Sequence, residues 1–341
     1  MTETSLPDAD FWAGRRVAVG GGAGFLGSYV VPELATLGAH VTVIDDLRNG
    51  DLESLAGVSS QIAIDVADLR DATVCARVTR GQDVFLNLAG SAFGIGYSGT
   101  HHSAMLFENV LVGLQAMDAA RRHHVGRYTV VSSSCVYADE APVPTPELPP
   151  MTGWPERVNE GYGWAKRVQE LAASYYVREH GMKIAVVRPC NLYGGNYRWR
   201  ADEKASLVPS LVKRILDGED PLVVWGSGNQ TRNLLHASDA ARLILRVTER
   251  STSGEPVNVA YDNETTVAEL VRIICQATGR WPRIVFDRSK PEGAARKSAD
   301  PTRLRALTNG YEPRISLHNG IQDMVAWYDR TFCPAKTFPV S

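Results

Sequence analysis

The chain has 341 residues, 44% of them apolar, enough to fill the core of one large α/β domain with a smaller lobe, which excludes a disordered or fibrous chain. Its 36 Lys and Arg against 38 Asp and Glu leave a net charge of only −2, so no chain-wide field draws it to nucleic acid or anionic membrane, and a small ligand is expected. No apolar run approaches a bilayer span, residues 1–14 lack the apolar core of a secretion signal, and five cysteines (Cys75, Cys135, Cys190, Cys275, Cys333) are scattered without metal or disulfide spacing, so the expectation is a cytoplasmic protein with reduced thiols and no metal.

Residues 1–13 are expected to be flexible. Residues 16–20 (RVAVG) read as a short buried strand, the next seven are glycine-rich, and 28–37 carries the apolar period of a helix. Gly21, Gly24 and Gly27 therefore form GxxGxxG between strand and helix, where backbone amides and a helix N-terminus can meet a pyrophosphate; outside that context the triplet is only a glycine-rich turn. A second strand, 41–45, ends on Asp45, eighteen residues past Gly27. A carboxylate there accepts both adenosine ribose hydroxyls and repels the extra phosphate of NADP, which favours NAD. Arg48 lies close by, either as a partner for a 2′-phosphate or as a solvated charge. A third strand, 61–65, ends on Asp65, which either meets the adenine or caps the strand. Strands at 84–89, 128–132 and 184–189 follow, with helical segments between most of them. This alternation predicts an α/β fold of Rossmann type, a doubly wound parallel sheet.

Residues 142–155 hold six prolines and are expected to form a surface loop arching towards the site. Beyond residue 190 the strict alternation weakens, with a helix at 207–217, a turn at 226–229 and a late helix at 266–278. The expected organisation is a dinucleotide-binding domain over 14–190 with a return segment near 228–260, and a substrate lobe from 191–227 and 261–335.

Tyr162 and Lys166 make YxxxK, which on a helix puts a phenol and an ammonium on one face. Lys166 and a positive nicotinamide ring both stabilise phenolate, so Tyr162 can act as general base towards a substrate hydroxyl. By chance the same pair is an exposed tyrosine beside a snorkelling lysine. The hydroxyl-rich strand end Ser132-Ser133-Ser134-Cys135, costly in a core without a purpose, weighs towards chemistry. No GxSxG elbow surrounds these serines, so a hydrolase nucleophile is not expected.

Taken together, GGAGFLG, the Asp45 strand end, NLAG at 87–90, SSSCVY, YGWAK and RPCNLYG make a chain that resembles the extended short-chain dehydrogenase/reductase superfamily over nearly its whole length. The resemblance implies Ser133 as the catalytic hydroxyl, Tyr162 as acid/base and Lys166 as its electrostatic partner. It also implies NAD held by Gly21, Gly24, Phe25, Leu26, Gly27, Asp45, Asp65, Leu88, Ala89, Tyr162 and Lys166, a nucleotide-sugar substrate, and a homodimer through helices near 104–122 and 162–179. Sugar dehydratases of the superfamily place an Asp-Glu pair where Ser134 and Cys135 stand here, so dehydration is not expected. SSSCVYADEAP instead resembles two branches, the GDP-mannose 3,5-epimerases and the GDP-fucose synthases, in which a cysteine at this position handles the proton on a ring carbon. Once carbon 4 is a ketone, protons on carbons 3 and 5 become acidic and a thiol can remove or return them. The alternative for Cys135 is a small buried filler.

The stretch 199–209, WRADEKASLVP, resembles the basic segment of the epimerases and offers Lys204 either as the second acid/base or as a solvated loop charge. Asp45 sides with the epimerases, since fucose synthases consume NADPH and lack a ribose-binding carboxylate; LVVWGSG at 222–228 and KPEGAARKSAD at 290–300 look more like the synthases. For the substrate, the resemblance places Asn191, Arg232 and Lys297 against the diphosphate and Lys204 and Ser134 near the sugar, while Gly94 and Gly96 either let the sugar approach the backbone or make a turn. Asn191 and Arg232 also fit a turn residue and a surface ion pair. His101 and His102, with no third ligand at metal spacing, are read as surface residues. The sequence thus points to an NAD-dependent epimerase acting on a nucleotide sugar, on best evidence a GDP-hexose, through a transient 4-keto hexose with inversion at carbon 5, carbon 3 or both. The alternatives are a UDP-sugar 4-epimerase, a synthase-like epimerase/reductase, and a non-catalytic NAD-binding scaffold.

Overall fold

The strands of the main sheet are short, largely apolar runs, buried on both faces except towards the edges, as at 62–66, the pattern a parallel sheet requires when helices cover it on either side. In the computed structural model, which describes residues 7–197, 199, 204–290 and 293–333, these are β1 (Arg16–Gly20), β2 (His40–Asp45), β3 (Ile62–Val66), β4 (Val84–Asn87), β5 (Arg127–Val131), β6 (Ile184–Pro189) and β7 (Ser253–Val259). All pair in parallel, in the spatial order β7-β6-β5-β4-β1-β2-β3. One face is packed by α2 (His102–Arg122) and α3 (Glu160–His180) through Val112, Ala116, Met117 and Ala173 against Phe85, Tyr128 and Val130. The other face is packed by α1 (Gly27–Thr36) and α4 (Ala237–Arg250) through Val30, Leu34, Ala241 and Leu245 against Val17, Val19 and Leu86.

The order in which strands are added reverses between β1 and β4, and at such a switch point the loops after the two strands part to leave a crevice. Gly21 shows how tightly they part. Its φ is +72°, and a Cβ there would lie 2.7 Å from the Ala89 backbone. Gly21→Ala is therefore expected to lose about 1–3 kcal/mol of stability, read by urea unfolding, because the left-handed backbone and the close approach both penalise a side chain.

Element boundaries depart from the sequence reading by a residue or two, with three differences that matter. Within the stretch 1–13, Ala9–Trp12 is a short helix, and buried Trp12 donates its indole N–H to Glu249 Oε1 at 2.6 Å; residues 1–6 lie outside the described residues. The return to the sheet begins later than 228, since Thr231–Asn233 pairs with Glu264–Thr266 away from the main sheet and the chain re-enters it through α4 and β7. The fourth strand stops at Asn87, because Leu88–Ala89 turn away to face Gly21.

The second half builds its own core from the helices Leu207–Leu216, Val267–Thr278 and Leu317–Phe332, with Val208, Leu211, Ile274, Ile321 and Met324 at its centre. The proline-rich stretch is a loop held by buried cations. Arg167 donates to the carbonyls of Val136, Thr152 and Gly153 at 2.6–2.9 Å, and Arg188 to that of Leu148 at 2.8 Å. Among the described residues no helix is long and apolar enough to cross a membrane.

Candidate active site

A cavity of about 1390 Å³ runs from the crevice between β1 and β4 into the second half of the chain. It has two arms, one under the glycine loop and Asp45, the other lined by Leu207, Leu211, Arg232 and Trp327; they meet at Ser133, Cys135 and Tyr162. That volume exceeds what one drug-sized ligand needs and suits two ligands meeting end to end.

The first arm fits a dinucleotide on its own geometry. The N-terminus of α1 has no side-chain cap; the Ser28 and Tyr29 amides donate to the Gly24 and Leu26 carbonyls, and the positive end of the helix meets the cavity at Gly27, where it favours an anion. Gly27 is packed on the loop so closely that a Cβ would lie 2.4 Å from the Gly22 carbonyl oxygen, and with Gly24, Phe25 and Leu26 it lines the cavity. Asp45 is 8% exposed and accepts the amides of Ala23 (3.0 Å) and Leu47 (2.9 Å), so it pins the glycine loop to the end of β2. Burial raises its carboxyl above the usual range while those two amides pull it down. Each oxygen keeps a second lone pair, and the residue lines the cavity where a ribose would lie. Arg48 pairs with Asp46 (2.5 Å) and lies 3.5 Å from Glu108. Leu88 and Ala89 line the same arm. Asp65 does not: it is ion-paired with Arg77, one helix further on, and Asp68 stands in the cavity wall instead. In this structure the Asp65 carboxylate engages a neighbouring guanidinium.

At the meeting point, β5 ends at Val131 and the chain enters a single 3-10 turn, Ser134–Val136. Ser133 caps that turn, its Oγ accepting the Cys135 amide at 3.2 Å, which sets the hydroxyl and the thiol on one wall. Tyr162 and Lys166 come from the first two turns of α3, with the Lys166 ammonium 5.5 Å from the centre of the Tyr162 ring. The Lys166 side chain is buried and reaches the loop after β4, where a Cβ on Gly90 would lie 3.6 Å from its Nζ. Burial brings Lys166 down to about 8, with Glu170 pulling it back up. Burial pushes the Tyr162 phenol above its ordinary range and the Cys135 thiol adds to this; a hydrogen bond with Ser133 opposes them. Ser133, Cys135 and Tyr162 are thus brought together on the cavity, with Lys166 directly behind Tyr162.

Lys297, read from the sequence as a diphosphate contact, lines the cavity beside Cys135. Its ammonium donates to Glu156 Oε2 at 2.8 Å and lies 3.8 Å from Cys135 Sγ. Burial pushes the Cys135 thiol up to about 12, Lys297 acting against this and Glu156 with it. Burial would raise the Glu156 carboxyl too, but Lys297 and Asn159 hold it at about 2. Glu156, from the end of the proline-rich loop, was not singled out in the sequence. The signal available was a carboxylate six residues before Tyr162 in a stretch read as arching towards the site.

The remaining substrate candidates divide. Asn191 sits at φ +45°, its side-chain amide donating to Asn233 Oδ1 at 3.2 Å, and Arg232 donates to the carbonyls of Thr231 and Ala294; both line the second arm. Lys204 lines it as well, its ammonium 4.6 Å from the Tyr97 ring centre and 5.2 Å from that of Phe93. Residues 200–203 lie outside the described residues. Gly94 is needed by the chain itself, because a Cβ would fall 2.0 Å from the Ala205 carbonyl oxygen; Gly94 N–H also donates to the Lys204 carbonyl at 3.0 Å. Gly96 and Ser134 line the cavity, and the Ser134 hydroxyl also hydrogen-bonds Cys190. His101 stacks on Tyr97 with ring centres 3.8 Å apart.

Residues 17–260 match the model of the NAD dependent epimerase/dehydratase family. GDP-L-fucose synthase 1 of Arabidopsis thaliana is 28% identical over 93% of this chain and 94% of its own. GDP-mannose 3,5-epimerase 1 of Oryza sativa subsp. japonica is 27% identical over 98% and 88%. Among solved structures, UDP-glucose 4-epimerase of Thermotoga maritima, determined with UDP-glucose, superposes with a TM-score of 0.82 at 26% identity, covering 93% of this chain and 99% of that one. The chain belongs to the NAD-dependent epimerase/dehydratase family, with NAD as its cofactor.

Proposed function

We propose that this protein epimerises a nucleotide sugar, a GDP-hexose, through a transient 4-keto intermediate, inverting carbon 5, carbon 3 or both. The observation that carries this reading is a thiol, Cys135, on the same wall of the cavity as Ser133 and Tyr162. NAD, when bound, supplies the hydride acceptor and later donor for carbon 4 and places a positive ring beside Tyr162. Tyr162, its phenolate stabilised by Lys166, takes the 4-hydroxyl proton, and the Ser133 hydroxyl holds the same oxygen. The ketone acidifies the protons on the adjacent carbons. A thiol held at about 12 is protonated at neutral pH, so Cys135 enters as the group that delivers a proton to the inverted carbon. The opposite face needs a base, and Lys204, from the other side of the cavity, is the proposed one. Arg232 and Asn191 are the proposed diphosphate contacts, a guanidinium and an amide lining the arm that leads away from Tyr162.

A synthase-like epimerase/reductase is the second reading, favoured by the likeness of 290–300 to that branch and by the fucose synthase relatives. The two differ in redox balance. An epimerase returns the hydride and consumes no cofactor, so turnover of a GDP-hexose with no change in absorbance at 340 nm supports the proposal, and stoichiometric NADPH oxidation on a 4-keto sugar replaces it with the second reading. Cys135→Ser is expected to lower epimerisation by about 10²-fold or more while transient oxidation at carbon 4 persists, seen as a small NADH signal on mixing. A homodimer through α2 and α3 belongs to the same proposal, since they leave Leu106, Phe107, Val168 and Tyr175 exposed; light scattering at twice the chain mass checks it. So does a reducing, cytoplasmic setting, which keeps the free thiol of Cys135 usable.

A further inference from the structure

Three groups from distant parts of the chain converge beside the reacting carbon: Cys135 from the turn after β5, Glu156 from the end of the proline-rich loop, and Lys297 from the strand Arg296–Lys297 of the second half. Glu156 is buried, so its charge requires a partner, and Lys297 is its ion-pair partner at 2.8 Å. The ammonium has a second neighbour, the sulfur, at 3.8 Å. Behind the pair, away from the main cavity, lies a small second cavity of about 40 Å³, lined among others by Glu156, Lys297, Thr145 and Ser298. It has room for one or two waters and polar groups to hold them.

We propose that Lys297, clamped by Glu156, is a positioning residue for Cys135 that carries the charge left on sulfur when the thiol delivers its proton, instead of a grip on the substrate diphosphate. This rests on the reading of Cys135 as the proton donor. The step balances: the S–H bond breaks as the C–H bond forms on the inverted carbon, the electron pair stays on sulfur beside the ammonium, and water from the small cavity returns a proton through the cluster. The proton lost from the opposite face of the ring goes to the base there. Other groups facing the sulfur are Ser133, whose hydroxyl hydrogen-bonds it, and Tyr162; Cys190 lies on the far side of Lys297. None of these carries a fixed positive charge, which leaves Lys297 as the cation beside the thiol among the groups acting on it.

The test reads the thiol directly and needs no sugar. The NAD-loaded protein is treated with iodoacetamide across pH 6–10, and alkylation of the Cys135 peptide is followed by mass spectrometry, because thiolate is the reactive form. Lys297→Met is expected to slow alkylation by about tenfold or more at a given pH, Glu156→Gln to speed it, and Lys297→Arg to stay near wild type. Since Lys297→Met alone leaves a buried carboxylate unpaired, the double variant Lys297→Met/Glu156→Gln keeps the test decisive: it carries neither charge and is expected to alkylate more slowly than wild type. Shifts of the two single variants in the same direction, or an unchanged rate in Lys297→Met and in the double variant, overturn the proposal. Because no substrate enters the assay, the wrong choice of hexose or reaction leaves these outcomes untouched.

Discussion

Tyr162→Phe is expected to lower turnover by about 10²–10⁴-fold while NAD stays bound, because the ring remains and only the proton acceptor is lost. The phenol lines the cavity beside Ser133, which hydrogen-bonds it; Lys297 draws it down, and the Lys166 ammonium 5.5 Å from its ring centre is a second cation that would favour phenolate. A drop in substrate affinity with unchanged kcat would assign Tyr162 to binding instead. The same pair sets a pH dependence. Lys166 is brought below its ordinary value to about 8, so its ammonium is present below that pH and lost above it. A descending limb in kcat near pH 8 is expected, moving upwards in Lys166→Arg, whose guanidinium stays charged; an unmoved limb would exclude Lys166 as its source.

The largest expected loss of stability comes from a residue beneath the site. Arg188, near the end of β6, is fully buried and donates to both oxygens of Glu170, at 2.9 and 2.5 Å, to the Tyr137 hydroxyl at 3.0 Å and to the Leu148 carbonyl at 2.8 Å. Glu170 in turn accepts from Ser132, next to the catalytic serine, and Tyr137 donates to Asn258 at 2.5 Å. Asn258 extends the network to the carbonyls of Thr145 and Asp300. Arg188→Met strands a buried carboxylate and a buried carbonyl, and is expected to lower the unfolding free energy by about 3–5 kcal/mol in urea titration. Adding Glu170→Gln should recover part of that loss, since the uncompensated charge is then gone. A loss below about 1 kcal/mol for Arg188→Met would mean the pair contributes no more than a surface ion pair.

The same arginine marks where the sequence could be read and where it could not. Strands that are mainly apolar, such as Arg16–Gly20 and His40–Asp45, were legible because a parallel sheet buried on both faces favours near-continuous apolar runs. The glycine loop, Asp45, Ser133, Tyr162 and Lys166 were legible because each sits at a strand end or a helix start that local spacing defines. Arg188 stood in plain view inside IAVVRP, and a charge there demands a buried partner, yet nothing local names Glu170 on a helix eighteen residues earlier. Asp65 is a related case: a strand-end carboxylate reads the same whether a ligand or Arg77 engages it. The Cys135, Glu156 and Lys297 cluster spans 162 residues, a closure that depends on how the second half docks on the first. Spacing carries no information at that range, so the motif around Lys297 was attached to the nearest chemistry available, the diphosphate.

The claim that matters most is that a ring carbon exchanges its proton beside a transient ketone. The direct measurement is incubation of the NAD-loaded protein with a panel of GDP- and UDP-hexoses in heavy water, followed by mass spectrometry of the recovered sugar. The expected result is epimerised GDP-hexose carrying one deuterium at carbon 5, carbon 3 or each, lost in Cys135→Ser. Epimerisation at carbon 4 with no deuterium in the ring would contradict it, leaving Cys135 idle and the protein a 4-epimerase.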